Sequence, residues 1–307
     1  MTKVSTPSII VILIVSCMHA ISAFSSSRLH RSASASLRLI NNPTVTMSNL
    51  EEIAKSSDGQ DKGKKVINVL CLHGKGNCGS TFQKMLAPLE ESLNSSTSSG
   101  GTFNFDYLTA PFRMDAEADS DERMQWWTLP PGIRSFNAKK YEGFEASKEL
   151  VNNALHEKDY QFIFGHSQGA ILTSALLTMK ESDNIFTPKS NKNENATLLG
   201  FILNGNAWPN PYSENLENRQ HQNEEEEISK SEEGHIHSEY ESRSPQVLFV
   251  VGESDKINPP EGALRVRDAM ERGGLQVNTC HHPGGHAVPI EDDKALQEMV
   301  DWIKNII

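Results

Sequence analysis

The sequence is poor in cysteine, with four in 307 residues. Cys17 lies in an N-terminal segment that resembles a leader, so three cysteines remain for the folded part. An odd and sparse set does not form a disulfide framework, and no CxxC pair marks a structural zinc site. The sequence therefore excludes the classes of small domain that depend on disulfides or zinc, and it indicates no cofactor.

The chain also lacks a basic excess and long apolar runs. It has 29 Lys and Arg against 40 Asp and Glu, which gives a formal net charge of −11. A nucleic-acid binder needs a basic face to neutralise phosphates, so no nucleic-acid partner is expected. The longest apolar run, Ile9 to Val15, is too short to cross a bilayer comfortably, and we expect no stable membrane span in the mature chain. The sequence does not define the oligomeric state.

Acidic residues are absent from the first fifty positions, and the first one is Glu51. Residues 1–23 have a charged start, a short apolar core and a small-residue end, which is typical of a secretory signal peptide. Residues 24–50 are rich in Arg and Ser, as transit peptides are. This pair resembles the bipartite leaders of diatom plastid proteins, in which a Phe such as Phe24 follows the signal cleavage point.

The leader therefore predicts a plastid location. Secretion, a signal anchor, and translation from Met47 giving a cytosolic form are the alternatives. Residues 51–65 are charged and contain glycine, which is typical of a linker.

Runs of strand length alternate with segments of helical spacing over residues 66–307. Several of these runs are continuously apolar, which is typical of a mainly parallel sheet with helices on both faces. The sequence therefore predicts one α/β domain without a large cap domain. Ligands bind such sheets at the carboxyl ends of the strands, and Gly74, Ser167, Asp255 and His286 each follow a predicted strand.

Residues 209–244 interrupt this pattern. The segment is acidic, polar and almost free of large apolar side chains. Such a chain cannot bury enough surface to offset the entropy lost on ordering. We predict a disordered insert on the surface of the domain.

Ser167 lies in "FGHSQGA", a G-x-S-x-G pattern between a predicted strand and a predicted helix. On such a tight turn the serine hydroxyl is exposed and its neighbours must be small, which explains Gly165 and Gly169. The pattern predicts a nucleophile, which needs a histidine base, an acid that orients the base, and amide donors for the oxyanion.

The chain has eleven histidines, so position along the chain must identify the base. His286 follows a late predicted strand in "PGGHAVP", with His281 or His282 as a reserve choice. His166 adjoins the serine on a turn that sends consecutive side chains apart, so it is a poor base. His73 comes early in the chain and is expected to shape the glycine-rich loop.

The acid is expected between the serine and the histidine in chain order. Asp255 follows an apolar strand in "VVGESDKINPP", and Glu253 is the close alternative. The oxyanion donors are expected to be the amides of Gln168, which follows the nucleophile, and Lys75 in the loop "LHGKGNCG". Cys78 in this loop has no nucleophile motif around it and is treated as incidental.

These motifs resemble those of the FSH-type serine hydrolases, an α/β-hydrolase family that includes the ovarian-cancer-associated serine hydrolase. The motifs are "LCLHGKGNCGSTF", "QWWTLP", "YEGFEAS", "FGHSQGA", "VVGESDKINPP" and "HHPGGHAVP". The resemblance implies an α/β-hydrolase fold, Ser167, Asp255 and His286 as a catalytic triad, and hydrolysis of carboxylic esters or thioesters. Family members usually carry Phe where this chain has His166.

We therefore expect a serine hydrolase that acts on small acyl esters or thioesters without a cofactor. A lipid-directed acyl hydrolase or a dedicated thioesterase is the alternative within the enzyme class. A catalytically idle binding scaffold is the alternative outside it. Trp126, Trp127 and Phe136 are expected either to line the acyl pocket or to fill the core.

Overall fold

The computed structural model describes residues 65–95, 101–114, 123–180, 183–186, 198–218 and 244–307. All of them belong to one unit, Lys62–Ile307. The predicted signal peptide 1–23, leader 24–50 and nearly all of the linker 51–65 lie outside the described residues, so these and the plastid location stay predictions. Lys65, predicted as the last linker residue, is instead the first residue of a strand.

Six parallel strands form the central sheet. In chain order they are β1 (Lys65–Leu72), β2 (Gly101–Leu108), β5 (Phe162–His166), β6 (Gly200–Asn204), β7 (Gln246–Gly252) and β8 (Gln276–His282). Their order across the sheet is β2-β1-β5-β6-β7-β8, and every neighbouring pair is parallel. Two short strands, β3 (Phe112–Arg113) and β4 (Met124–Gln125), pair antiparallel outside this sheet.

Five helices have both ends described. They are α1 (Gly79–Ser95), α2 (Phe144–Glu157), α3 (Gln168–Leu177), α4 (Pro260–Arg272) and α5 (Asp293–Ile306). No helix in the described part of the chain is long and apolar enough to cross a membrane.

The sheet has a separate hydrophobic core on each face, because successive side chains of a strand point to opposite sides. In β5, Phe162 and Phe164 belong to the core that includes residues of α1 and α5, whereas Ile163 belongs to the core that includes residues of α2, α3 and α4. The fully buried strand explains why "FIF" is continuously apolar instead of alternating. The predicted parallel sheet with helices on both faces is confirmed.

The predicted insert 209–244 differs from the structure at its N-terminal end. Residues Asn210–Tyr212 form a 3-10 helix, and residues 213–218 are helical. Leu216 is buried, and the ring of Tyr212 stacks on Phe144 with centroids 4.2 Å apart. Leu216 and Tyr212 thus pack on the domain, and the prediction of disorder is wrong for residues 209–218. Residues 219–243 lie outside the described residues.

Candidate active site

Ser167 occupies a sharp turn between a strand and a helix. Strand β5 ends at His166 and α3 begins at Gln168, so Ser167 is the single residue between them. Its φ is 53° and its ψ is −116°, and among the described residues it is the only non-glycine residue with a positive φ. Such a conformation is strained and persists only where the surrounding structure imposes it. The turn therefore has the character that the G-x-S-x-G pattern predicts.

The two glycines of the pattern give this turn its room. A Cβ on Gly165 would lie 2.7 Å from backbone atoms of Gly169 and Ala170, and a Cβ on Gly169 would lie 2.1 Å from the Leu72 carbonyl oxygen. Neither distance is compatible with a side chain, so any larger residue would displace α3 or β1. The prediction that the neighbours of Ser167 must be small is confirmed.

Ser167, His286 and Asp255 form a continuous hydrogen-bonded row. His286 Nε2 lies 2.8 Å from Ser167 Oγ, and His286 Nδ1 lies 2.7 Å from Asp255 Oδ2. Because a carboxylate only accepts hydrogen bonds, Nδ1 carries the hydrogen and Nε2 is the acceptor that faces the hydroxyl. The structure thus brings together the three side chains that the sequence singled out.

The turn that follows β7 holds Asp255 in place. Asp255 Oδ1 accepts hydrogen bonds from the backbone N–H groups of Ile257, at 2.8 Å, and Asn258, at 3.0 Å. The Asp255 side chain is only 2% exposed, and that of His286 is 14% exposed. A buried carboxylate needs hydrogen-bond partners at its oxygens, and Asp255 has them at both.

The carboxyl end of β6 supports the His286 ring. Gly205 has a φ of +57°, and a Cβ there would lie 3.0 Å from Cε1 and Nδ1 of His286. The Asn258 side-chain amide donates to the Gly205 carbonyl oxygen at 2.7 Å, which links this contact to the Asp255 turn. The sequence analysis missed Gly205 and Asn258. The signal for Gly205 was the end of a predicted strand in "FILNG".

His166 lies beside the row and is not part of it. Its Nδ1 lies 2.8 Å from Asn204 Nδ2, and its ring stacks on Phe82 with centroids 6.0 Å apart. Burial, and then the nearby His286, lower the pKa of His166 to about 3, so its ring is neutral near neutral pH. This placement agrees with the prediction that His166 is not the base.

Asn204 contacts Ser167 through its backbone and His286 through its side chain. Its carbonyl oxygen accepts from the Ser167 N–H at 2.9 Å, and its Nδ2 lies 3.5 Å from the His286 carbonyl oxygen. The Ser167 N–H therefore already donates a hydrogen bond within the protein. Asn204 is a further residue that the sequence analysis missed.

His73 shapes the loop after β1, as predicted. Its Nδ1 donates to the Gly74 carbonyl oxygen at 2.7 Å, and its Nε2 accepts from the Ala110 N–H at 3.0 Å. Burial lowers the pKa of His73 to about 4, although the hydrogen bond to Gly74 acts in the opposite direction. Both ring nitrogens are occupied, so this histidine is not available as a base.

The Gln168 side chain ties the turn to a tryptophan pair. Its Oε1 accepts from the Trp126 N–H at 2.9 Å, and its Nε2 donates to the Trp127 carbonyl oxygen at 3.4 Å. The Trp126 indole N–H in turn donates to the His73 carbonyl oxygen at 2.7 Å. The sequence predicted a role for the Gln168 amide but none for its side chain.

Trp126 and Trp127 fill the core, which is one of the two positions that the sequence left open for them, and neither lines the cleft. Neither has any exposed surface, and the Trp127 ring stacks on Tyr141 with centroids 4.3 Å apart. Phe136 is half-buried against the same core and is not among the residues that line the cleft. Large aromatic rings bury the most apolar surface, which favours the core position.

A cleft of about 520 Å³ opens at Ser167 and His286. Its apolar lining comes from Met114, Leu129, Ile133, Ile171 and Ile257. Lys75 and Gln168 line the same cleft, so both predicted oxyanion donors border the space next to Ser167. The N–H of Gln168 lies at the start of α3, where backbone donors have no partner within the helix.

The remaining sequence candidates lie elsewhere. The Glu253 N–H donates to the His282 carbonyl oxygen, and the row uses Asp255 instead of Glu253. His282 is buried and His281 is exposed, both at the end of β8. The Cys78 thiol lies 3.1 Å from the Ser80 hydroxyl, and Cys78 does not line the cleft. None of these residues joins the hydrogen-bonded row.

No group of three or more His, Cys, Asp or Glu side chains in the described ranges is arranged to hold a metal ion. The expectation that no cofactor is needed is untested.

Comparisons with known proteins give one family and one fold. A family model described as serine hydrolase (FSH1) matches residues 63–297, the greater part of the chain. The SOBER1 structure from Arabidopsis thaliana is similar, with a TM-score of 0.51 and 17% identity over 78% of this chain and 98% of that chain. Acyl-protein thioesterase 2 from Zea mays has a TM-score of 0.53 and 17% identity over 80% of this chain and 95% of that chain. No curated protein matches the sequence. At this identity the structures establish only the fold, and the predicted α/β-hydrolase fold is confirmed.

Proposed function

The chain belongs to the FSH1 serine hydrolase family, and we propose that it cleaves carboxylic esters or acyl thioesters through an acyl-enzyme on Ser167. The observation that carries this proposal is the row from Ser167 through His286 to Asp255 at the mouth of a cleft. A serine hydroxyl is a weak nucleophile by itself, and a histidine held by a carboxylate is the arrangement that activates it.

In the first half of the reaction, Ser167 Oγ attacks the acyl carbon and its proton passes to His286 Nε2, 2.8 Å away. Asp255 keeps the other ring nitrogen protonated and stabilises the imidazolium that forms. The amides of Lys75 and Gln168 donate to the negative oxygen of the tetrahedral intermediate. Collapse breaks the bond to the alcohol or thiol, which leaves with the proton from His286.

In the second half, water attacks the acyl-enzyme. His286 takes one proton from the water, the same two amides stabilise the second tetrahedral intermediate, and collapse releases the acid and restores the Ser167 hydroxyl. Each step uses groups of this chain and water. An ester and a thioester follow the same course and differ only in the leaving atom.

The cleft lining supports an acyl substrate with an apolar part. Five apolar side chains and the Ser167 hydroxyl border the same space of about 520 Å³. Ligand sites commonly combine apolar walls with a few polar groups that fix orientation. The experiments below distinguish this proposal from its alternatives, which are a lipid-directed hydrolase, a dedicated thioesterase and an idle scaffold.

The first experiment replaces Ser167 with Ala. We expect kcat/KM for a short-chain ester to fall by about 10³-fold or more, because the nucleophile and its proton transfer are lost together. Labelling by a fluorophosphonate probe should disappear in the same variant. Ser92→Ala is the matched control, since Ser92 lies on α1 and donates only to the Pro88 carbonyl oxygen.

Equal labelling of the wild type and Ser167→Ala would exclude Ser167 as the nucleophile. Failure of the folded wild type to label or to cleave any ester would favour the idle scaffold. A panel of esters and thioesters of graded chain length then separates the enzymatic alternatives.

A further inference from the structure

The cleft at Ser167 is lined by cations. Lys75, Arg123 and Arg134 border it, whereas none of the described residues that line it is a carboxylate. The chain as a whole carries a formal net charge of −11. The sign of the charge at the described walls of the cleft is therefore opposite to that of the chain.

Two of these cations, Lys75 and Arg134, form no ion pair in the part of the chain that the structure describes. A cleft lined by one sign of charge with low-dielectric walls concentrates ligands of the opposite sign. The Arg134 guanidinium presents its donors as a planar fork that fits a carboxylate or phosphate, and Lys75 adds a mobile point charge.

Neutral polar groups and apolar groups complete the lining. Ser135 and Asn258 supply polar contacts, and Ile133 and Ile257 are 42% and 44% exposed at the same cleft. Exposed isoleucines beside these cations fit a ligand that has both an apolar chain and a negative group. A wholly neutral acyl ester would offer no opposite charge to Lys75 and Arg134.

We propose that the cleft binds acyl esters or thioesters that carry an anionic group, held by Arg134 and Lys75 while the acyl carbon lies at Ser167. This inference rests on the proposed hydrolysis by Ser167. The anionic group can belong to the acyl chain, as a carboxylate, or to the leaving group, as a phosphate. Both offer the same oxygen acceptors to the two cations, and the experiment separates them.

The central measurement compares two esters of equal shape. These are para-nitrophenyl hydrogen glutarate, which ends in a carboxylate, and para-nitrophenyl 5-methylhexanoate, which ends in a neutral isopropyl group. We expect wild-type kcat/KM to favour the anionic ester by about tenfold at low salt, mostly through KM, as for a charge-assisted hydrogen bond. The preference should shrink as salt screens the cations.

Charge-removing variants assign the preference to particular side chains. Arg134→Gln and Lys75→Gln should each lower the ratio of kcat/KM for the anionic ester to that for the neutral ester by about threefold, and Arg134→Lys should retain part of the preference. Arg272→Gln is the matched control, because Arg272 lies exposed at the end of α4, and it should leave the preference unchanged.

A second pair of substrates locates the anionic group. Butyryl-coenzyme A carries phosphates on the leaving group, and S-butyryl-N-acetylcysteamine carries none. A charge-dependent preference in this pair assigns the cations to the leaving group, and a preference in the glutarate pair assigns them to the acyl chain.

The sequence also carries five carboxylates between Met114 and Arg123, outside the described residues. If they neutralised the cleft, wild type would treat charged and neutral partners alike in both pairs. That result, or a preference that survives removal of both Arg134 and Lys75, would overturn the inference. Loss of all hydrolysis in wild type would instead contradict the proposed function.

Discussion

At the scale of single residues, the site contains two buried histidines that are neutral in the folded chain. The pKa of His166 is lowered to about 3 and that of His73 to about 4, chiefly because burial disfavours the charged ring. In the unfolded chain both return to an ordinary value of about 6.5. Between pH 6.5 and these lowered pKa values, the unfolded state therefore binds more protons than the folded state.

This difference predicts how stability depends on pH. Above pH 6.5 the rings are neutral in both states and do not lower the free energy of unfolding. As the pH falls below 6.5, the unfolded rings bind protons, and the free energy of unfolding falls by about 1.4 kcal/mol per pH unit for each ring until its folded pKa is reached. His166→Phe removes one of the two. Between pH 7.5 and pH 5 the variant should lose about 2 kcal/mol less unfolding free energy than wild type, measured by urea denaturation.

Wild type and His166→Phe are compared by how steeply the unfolding free energy changes with pH. The absolute values cannot be compared, because the lost contact with Asn204 lowers the stability of His166→Phe at every pH. Ser92→Ala on α1 is the control, because it changes no ionisable group, and its slope should equal that of wild type. A His166→Phe slope as steep as that of wild type would mean that His166 is charged when folded.

The same residues explain which parts of the site could be predicted. Ser167, Asp255 and His286 each follow a strand of a parallel sheet, so motif and chain order were enough to select them. Trp126 and Trp127 could not be assigned between pocket and core, because both places favour aromatic residues. Asn204 and Asn258 act through contacts across elements, and the register of neighbouring strands is not visible in one sequence.

At the scale of elements, the start of α3 is joined to the segment after β4. The buried Trp126 N–H donates a hydrogen bond to the Gln168 side chain at 2.9 Å. No other side chain in the described structure accepts from this N–H. The N-terminus of α3, the β1 loop and the tryptophan pair are thereby held as one unit. The position of the loop that carries Lys75 thus depends on a side chain of the turn residue next to Ser167.

Gln168→Met tests this link, because it keeps the backbone amide and the side-chain length but removes both hydrogen bonds. Leaving the Trp126 N–H without a partner should lower the unfolding free energy by about 1–3 kcal/mol. We also expect kcat to fall, since the loop that carries Lys75 loses its support. Thermal unfolding and ester hydrolysis measure the two effects.

Gln297→Met on α5 is the matched control, because the Gln297 side chain is exposed and, among the described residues, bonds only to Asp301. A Gln168→Met variant as stable and active as this control would show that the side-chain link has no role.

Element positions were more predictable than their contacts. Buried strands such as β5 and β7 are continuous apolar runs, and α5 repeats its apolar residues at helical spacing, so both types follow from the pattern. The sequence analysis did not predict the antiparallel pair β3–β4, because two-residue strands carry no period. Pro88 inside α1 did not end that helix, since packing of the helix against the sheet outweighs local propensity.

At the scale of the whole molecule, the acidic segment 209–244 begins with a piece that belongs to the folded domain. Its first part packs on the domain: Leu216 is 2% exposed, and the Asn210 side-chain amide donates to the Ala138 carbonyl oxygen at 2.8 Å. Residues 219–243 contain eight acidic and three basic residues and only three large apolar ones. A composition averaged over 36 residues therefore concealed a short anchored piece at one end.

Two variants test where the domain ends within this segment. Leu216→Ala should lower the unfolding free energy by about 2–5 kcal/mol, because it leaves a cavity in the core to which Leu216 belongs. Replacing residues 219–243 with Gly and Ser of equal length should change it by less than about 0.5 kcal/mol, since so polar a chain gains little from burial. Chemical denaturation measures both. A large loss in the replaced chain, or none in Leu216→Ala, would mean that the boundary between folded domain and insert lies elsewhere.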